Sequence, residues 1–214
     1  MLFKKIKLLC ITCPREDIPY PEQVELACMG GADMIQFRDK SLSDIDLFNI
    51  SVILQQICRK HNVYFTVNNR IDIADISNAD GVHIGQSDLP AEYARKTLGS
   101  SKIIGLSAST YEQIINAAKQ PVDYIGYGAV FATITKPESQ ERGLDILSAV
   151  KRQNSVKAPI IAIGGIDKTN VADVIRAGAD GVAVVRAVCG AKDIQKEAEK
   201  IKKIILQTEQ EERI

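Results

Sequence analysis

Gly31-Ala32-Asp33-Met34-Ile35-Gln36-Phe37-Arg38-Asp39-Lys40 reads as a helix stop, a buried strand and a polar exit in immediate succession. Met34, Ile35 and Phe37 give the middle its apolar character, while Gln36, Arg38 and Lys40 follow at the spacing of two that places side chains on one face of a strand. Two of these three heads are cations at the carboxyl end, and a buried cation is costly unless an anion meets it. The leading triplet recurs as Asn78-Ala79-Asp80 and Gly178-Ala179-Asp180, and more loosely as Pro121-Val122-Asp123. In each of the closer copies Gly or Asn supplies the left-handed residue that ends a helix, after which the chain enters a strand.

Outward from this repeat the chain alternates without a break. Beta-branched or apolar runs at residues 7–12, 33–38, 64–67, 81–84, 102–107, 124–127, 160–163 and 181–185 predict eight strands. Amphipathic stretches at 21–28, 43–60, 71–77, 90–98, 111–119, 144–153, 170–177 and 193–207 predict the helices between and after them. The strands are short and apolar on both faces, as in a parallel sheet covered by helices. Helix starts are expected at Ser43, at Asp88 ahead of Pro90, and at Ser109. No Pro/Ser-rich linker divides the chain, so residues 1–214 are expected to form a single (β/α)8 TIM-barrel domain, with its active site at the carboxyl ends of the strands.

The 27 basic residues balance the 27 acidic ones, so no global field advertises nucleic acid or membrane, and any anion site has to be local. Neither a signal segment nor a membrane span is evident, and a cytoplasmic protein is expected. The five cysteines lack paired metal spacing and read as core or strand-end residues. A homo-oligomer is left open.

A barrel brings the strand ends to one mouth. Arg38 and Lys40 follow the second strand, Asn68 and Asn69 the third, and Gly85-Gln86-Ser87-Asp88 the fourth. Asp88 is either a helix cap or, with Asn69, an oxygen ligand for a hard cation. Ser107 ends the fifth strand, and the sixth runs into Thr133-Ile134-Thr135-Lys136-Pro137, whose hydroxyls and lysine suit phosphate oxygens. Gly164-Gly165 and Val185-Arg186 end the last two strands, where this fold often holds phosphate. His83 reads as a core or interface histidine. No nucleophilic triad is present, so positioning and electrostatic stabilisation of a leaving group is the leading chemistry.

The runs 36–40, 83–88, 105–108, 133–136, 163–166 and 178–183, with Asn68, together resemble thiamine phosphate synthase. The resemblance implies a transferase that joins a hydroxymethylpyrimidine diphosphate to thiazole phosphate. It implies a pyrimidine diphosphate held by Gln36, Phe37, Arg38, Asp39, Lys40, Asn68, Ser107 and Lys136, with Phe37 and Asp39 contributing backbone. Arg38, Lys40, Ser107 and Lys136 are then the catalytic set. Thiazole phosphate is expected on Thr133, Ile134, Thr135, Gly165, Val185 and Arg186, and Mg2+ on Asn69 and Asp88. Asn69 stands where the family usually has Asp, and Arg186 where it usually has Ser. A related thiazole tautomerase uses a histidine at the position of Ala129, which disfavours that activity. A non-catalytic, precursor-binding paralogue is the remaining alternative.

Overall fold

The computed structural model describes residues 6–133, 140–154 and 156–212. Strands β1 (Leu8–Ile11), β2 (Met34–Phe37), β3 (Tyr64–Asn68), β4 (Gly81–Ile84), β5 (Ile103–Ala108), β6 (Tyr124–Tyr127), β7 (Ile160–Ile163) and β8 (Gly181–Val184) close into a parallel barrel in sequence order. Each is followed by a helix: α1 (Tyr20–Met29), α2 (Asp44–Lys60), α3 (Ile71–Ile76), α4 (Ala91–Leu98), α5 (Tyr111–Ala117), α6 (Asp145–Gln153), α7 (Val171–Arg176) and α8 (Ile194–Glu211). The expected (β/α)8 barrel is therefore the observed fold. No helix among the described residues is long and apolar enough to cross a membrane.

Strand alternation sorts the apolar residues into two bodies. Leu9, Ile11, Met34, Ile103, Tyr124, Ile161 and Ala183 pack together inside the barrel. Their chain neighbours Leu8, Cys10, Ile35, Phe37, Ile104, Ile125 and Val182 belong to the larger layer between strands and helices. Phe37 thus faces outward, under the edge of the Tyr20 ring at 5.1 Å, whereas Gln36 shares the inner parity of Met34. Cys10, Cys28, Cys58 and Cys189 are buried and Cys13 half-buried, all as free thiols.

The repeated aspartate explains how the register is fixed. The backbone N–H of Asp33 donates to the Leu8 carbonyl, and Leu8 N–H returns a bond to the Asp33 carboxylate at 3.0 Å. The same reciprocal pair joins Asp80 to Phe65, Asp123 to Ile104 and Asp180 to Ile160, with N–H to carboxylate distances of 2.8, 2.8 and 2.9 Å. An aspartate ahead of each even-numbered strand therefore clamps the start of the odd-numbered strand before it. Hydrogen bonds to a charged acceptor contribute about 1.5–3 kcal/mol, enough to resist slippage of a short strand. The residues before these aspartates fit the helix exit: Gly31, Asn78 and Gly178 have φ of 89°, 53° and 115°. Lys202 and Arg95 add their charges to the carboxylates of Asp33 and Asp123.

Two helix starts differ from expectation. Ser43 caps α2 by accepting from Asp46 N–H. The cap of α5, however, is Thr110, whose Oγ1 accepts from Gln113 N–H, while the Gln113 side chain accepts from Ser109 N–H. Asp88 does not cap α4; its carboxylate turns back to Gly85 N–H at 2.6 Å. Replacing Asp80, which has no ionic partner among the described residues, isolates the worth of one clamp. Asp80→Ala is expected to lower urea-unfolding stability by about 1–3 kcal/mol, and Asp80→Asn, which keeps an acceptor, by less than half of that.

Candidate active site

The floor of the barrel mouth is built by two glycines and two rings. Tyr124 begins β6, and its ring crosses the space over Gly105, where a Cβ would lie 2.1 Å from the tyrosine Cζ. His83 on β4 stacks on Tyr124 at 5.4 Å and lies over Gly126, where a Cβ would come within 2.9 Å of the imidazole. His83 Nδ1 meets the Tyr124 hydroxyl and His83 Nε2 meets Ser107 Oγ, both at 2.8 Å. Gln36 is buried on β2. Burial pushes the His83 imidazole down to about 4, with the Asp88 carboxylate pulling weakly the other way, so the ring is neutral at pH 7. Burial likewise raises the Tyr124 phenol.

Around this floor the rim is cationic on one side. Arg38 leaves β2 with its N–H held by Thr12 Oγ1 at 3.0 Å, which sets the direction of the strand exit. Arg38 is half-buried and Lys40 exposed, and neither forms an ion pair with a described residue. Asp39 makes no ion pair with a described residue: its carboxylate binds the Tyr20 hydroxyl and the Ser41 and Leu42 N–H groups, which form the turn into α2. Asn68 lies beside His83 in the β3–β4 register. Asn69 follows at φ 64° with an exposed side chain.

Opposite, the segment after β6 lies on the end of β7. Val130 N–H donates to Ile163 O and Phe131 N–H to Gly164 O. A Cβ at Gly164 or Gly165 would meet Ala129 Cβ or Ala132 O at 2.5 Å, so this close approach requires both glycines. The N–H groups of Gly165 and Arg186 make no hydrogen bond to a described residue, and Arg186 is exposed. After β8 one turn of chain is tied to the β1 exit by Arg15, which donates to the carbonyls of Cys189 and Ala191 at 3.1 and 2.6 Å. Thr133 is half-buried, whereas Ile134, Thr135 and Lys136 lie outside the described residues.

Among the described residues no three His, Cys, Asp or Glu side chains cluster to hold a metal. Asp88 and Asn69 offer hard oxygen donors at neighbouring strand ends, one charged and one neutral. One Asp88 oxygen is engaged by Gly85 N–H, and the other accepts from no described residue. This pair suits a magnesium ion that draws its remaining ligands from water and substrate oxygens.

Residues 8–188 match the family model described as thiamine monophosphate synthase. The chain belongs to this family. A thiamine-phosphate synthase of Persephonella marina is 45% identical over 182 residues, covering 85% of this chain and 86% of the relative. One from Coprothermobacter proteolyticus is 40% identical over 206 residues, covering 95% and 97%. The solved thiamine phosphate pyrophosphorylase of Pyrococcus furiosus superposes with a TM-score of 0.87 at 38% identity, covering 95% of this chain and 97% of that one.

Within the thiamine monophosphate synthase family frame, the structure gathers Gln36, Arg38, Asn68 and Ser107 at one mouth and turns two expected contacts elsewhere. The Phe37 side chain is sealed in the outer layer and the Asp39 carboxylate is spent on a turn, which leaves only their backbone to a ligand. Sequence reasoning treated His83 as a core or interface residue and passed over Tyr124. Gly105 and Gly126, which create their space, were the only signal, and a glycine on a neighbouring strand does not name the ring it accommodates. With its folded pKa depressed, His83 makes the unfolded chain the tighter proton binder between about pH 4 and 6.5. Stability therefore falls as pH drops through this window, and the His83→Gln variant is expected to show a shallower slope in urea unfolding from pH 7 to pH 4.5.

Proposed function

We propose that this chain condenses 4-amino-2-methyl-5-(diphosphooxymethyl)pyrimidine with thiazole phosphate to give thiamine phosphate and pyrophosphate. The observation that carries the reading is the pairing of half-buried Arg38 and exposed Lys40, neither neutralised by a described residue, above a polar floor, in a chain of this family. Such cations are arranged to receive an anion.

The pyrimidine ring rests on Gln36, Asn68 and Ser107, and its diphosphate extends to Arg38, Lys40 and Lys136, with the backbone at Phe37 and Asp39. The bond between the methylene carbon and the diphosphate oxygen breaks, and its electron pair leaves with the diphosphate. The carbocation is delocalised into the aminopyrimidine, and the thiazole nitrogen supplies the pair that forms the new C–N bond. Arg38, Lys40 and Lys136 stabilise charge as it grows on the leaving group. Thiazole phosphate binds Thr133, Ile134, Thr135, the Gly165 N–H, Val185 and Arg186, whose guanidinium matches phosphate geometry. Asp88 and Asn69 would hold a Mg2+ ion, which would supply further positive charge for the leaving diphosphate.

Incubation with both precursors and magnesium is expected to yield thiamine phosphate and an equal amount of pyrophosphate. Asn69→Asp is expected to lower the magnesium concentration giving half-maximal rate, since a second carboxylate strengthens attraction for the ion. Binding of both precursors without product would replace this reading with a non-catalytic one. Rates indifferent to magnesium in both proteins would remove the metal from Asn69 and Asp88.

A further inference from the structure

The chain folds back on itself as soon as β8 ends. Cys189 N–H donates to the Val185 carbonyl at 2.8 Å, and Ala191 N–H to that of Val188 at 2.9 Å. Gly190 packs directly on the start of this turn, where a Cβ would lie 2.9 Å from both the Cα and the carbonyl oxygen of Arg186. Residues 185–186 and 189–191 are thus held to one another, and whatever fixes the carbonyls of Cys189 and Ala191 also fixes Arg186.

Arg15, in the segment between β1 and α1, is what fixes them. Its Nη1 donates to the Cys189 and Ala191 carbonyls at 3.1 and 2.6 Å, while Nε and Nη2 donate to the two Asp17 carboxylate oxygens at 2.9 and 2.6 Å. Four of the five guanidinium N–H groups are spent in this way, so Arg15 has little left to offer a ligand. The segment is anchored in its turn by Gln23, which is fully buried on α1. Its amide donates to the carbonyls of Cys13 and Ile18, both at 2.9 Å, and its side-chain oxygen accepts from Cys13 N–H at 3.3 Å. Both ends of the segment that carries Arg15 are therefore stapled to one helix. Arg186 is the opposite case: it is exposed, and its side chain makes no hydrogen bond or ion pair with a described residue.

We propose that Arg15, stapled by Gln23, is a positioning residue for the second phosphate: it sets where Arg186 and its N–H stand, so that thiazole phosphate meets a prearranged group. The inference rests on the thiazole phosphate site proposed above. A planar fork bound to one carboxylate and two carbonyls has a single orientation, which a flexible neutral side chain does not reproduce. Displacement of a binding group by about 1 Å costs on the order of 10²-fold in a preorganised site. An arginine that served stability alone would lower the unfolding midpoint and leave both ligands bound as before.

Binding separates the two roles without turnover. Dissociation constants are measured for a pyrimidine diphosphate whose bridging oxygen is replaced by carbon, and for thiazole phosphate with and without that analogue. Arg15→Gln is expected to weaken thiazole phosphate by about 10-fold or more and to leave the analogue within about 2-fold. Arg15→Lys keeps a cation and a donor for the carbonyls, so a smaller loss with the same selectivity is expected; it carries the test if Arg15→Gln does not fold. Equal weakening of both ligands, or of neither, overturns the proposal. In an Arg186→Gln background the further loss from Arg15→Gln is expected to shrink, as for two residues acting on one phosphate, and an undiminished loss overturns the route through Arg186. A wild type that binds no thiazole phosphate removes the site and the brace together, whereas wild-type binding that Arg15→Gln leaves unchanged removes the brace alone.

Discussion

The reciprocal hydrogen bonds between the strand-leading aspartates and the strands before them set the frame on which the rest depends. Most of these strands are only four residues long, and a slip of one residue would exchange the barrel interior for the helix layer. Asp33, Asp80, Asp123 and Asp180 each bind the neighbouring backbone twice, through N–H and carboxylate, at the amino-terminal end of the barrel. Because the clamps sit at that end, the carboxyl ends can carry polar and cationic side chains at little risk to register. Stability and chemistry thus occupy opposite rims of one sheet.

Register in turn decides what can stand in the middle. Gly105 pairs with both His83 and Tyr124 in the ladder, and Gly126 pairs with Ser107. Bare backbone at these two positions leaves room for a phenol and an imidazole, and the two rings fill it in stacked contact. The interior therefore grades from an apolar plug of Leu9, Met34, Ile103 and Ile161 to a polar floor and then a cationic rim. This gradient suits a substrate with a flat heterocycle at one end and several charges at the other. The proposed diphosphate site near Arg38 follows β2, and the proposed second phosphate site near Gly165 and Arg186 follows β7 and β8.

Much of this was legible in the sequence because it is periodic. The triplets ending in Asp33, Asp80 and Asp180 announced both the helix exits and the strands, and inner parity was readable from Met34, Gln36 and Arg38. What escaped depends on contacts between distant strands. Asp88 looked like a helix cap ahead of Pro90, yet its carboxylate folds back on Gly85, within a loop whose path no local pattern specifies. Gly164 and Gly165 were read as room for a ligand, and they are first of all room for the chain at Ala129 to Ala132. His83 was taken for core because its neighbours are apolar, while its partners Tyr124 and Ser107 lie 41 and 24 residues away.

The central claim is that the polar floor receives the heterocycle and the Arg38 side of the rim receives the diphosphate. A crystal structure with magnesium and an unreactive pyrimidine diphosphate, in which the bridging oxygen is replaced by carbon, tests it most directly. The account predicts the ring on Gln36 and Ser107 above the Tyr124–His83 pair, with the diphosphate on Arg38 and Lys40 and the metal toward Asp88. A diphosphate seated on Gly165 and Arg186, or a ring held outside the barrel mouth, would contradict it.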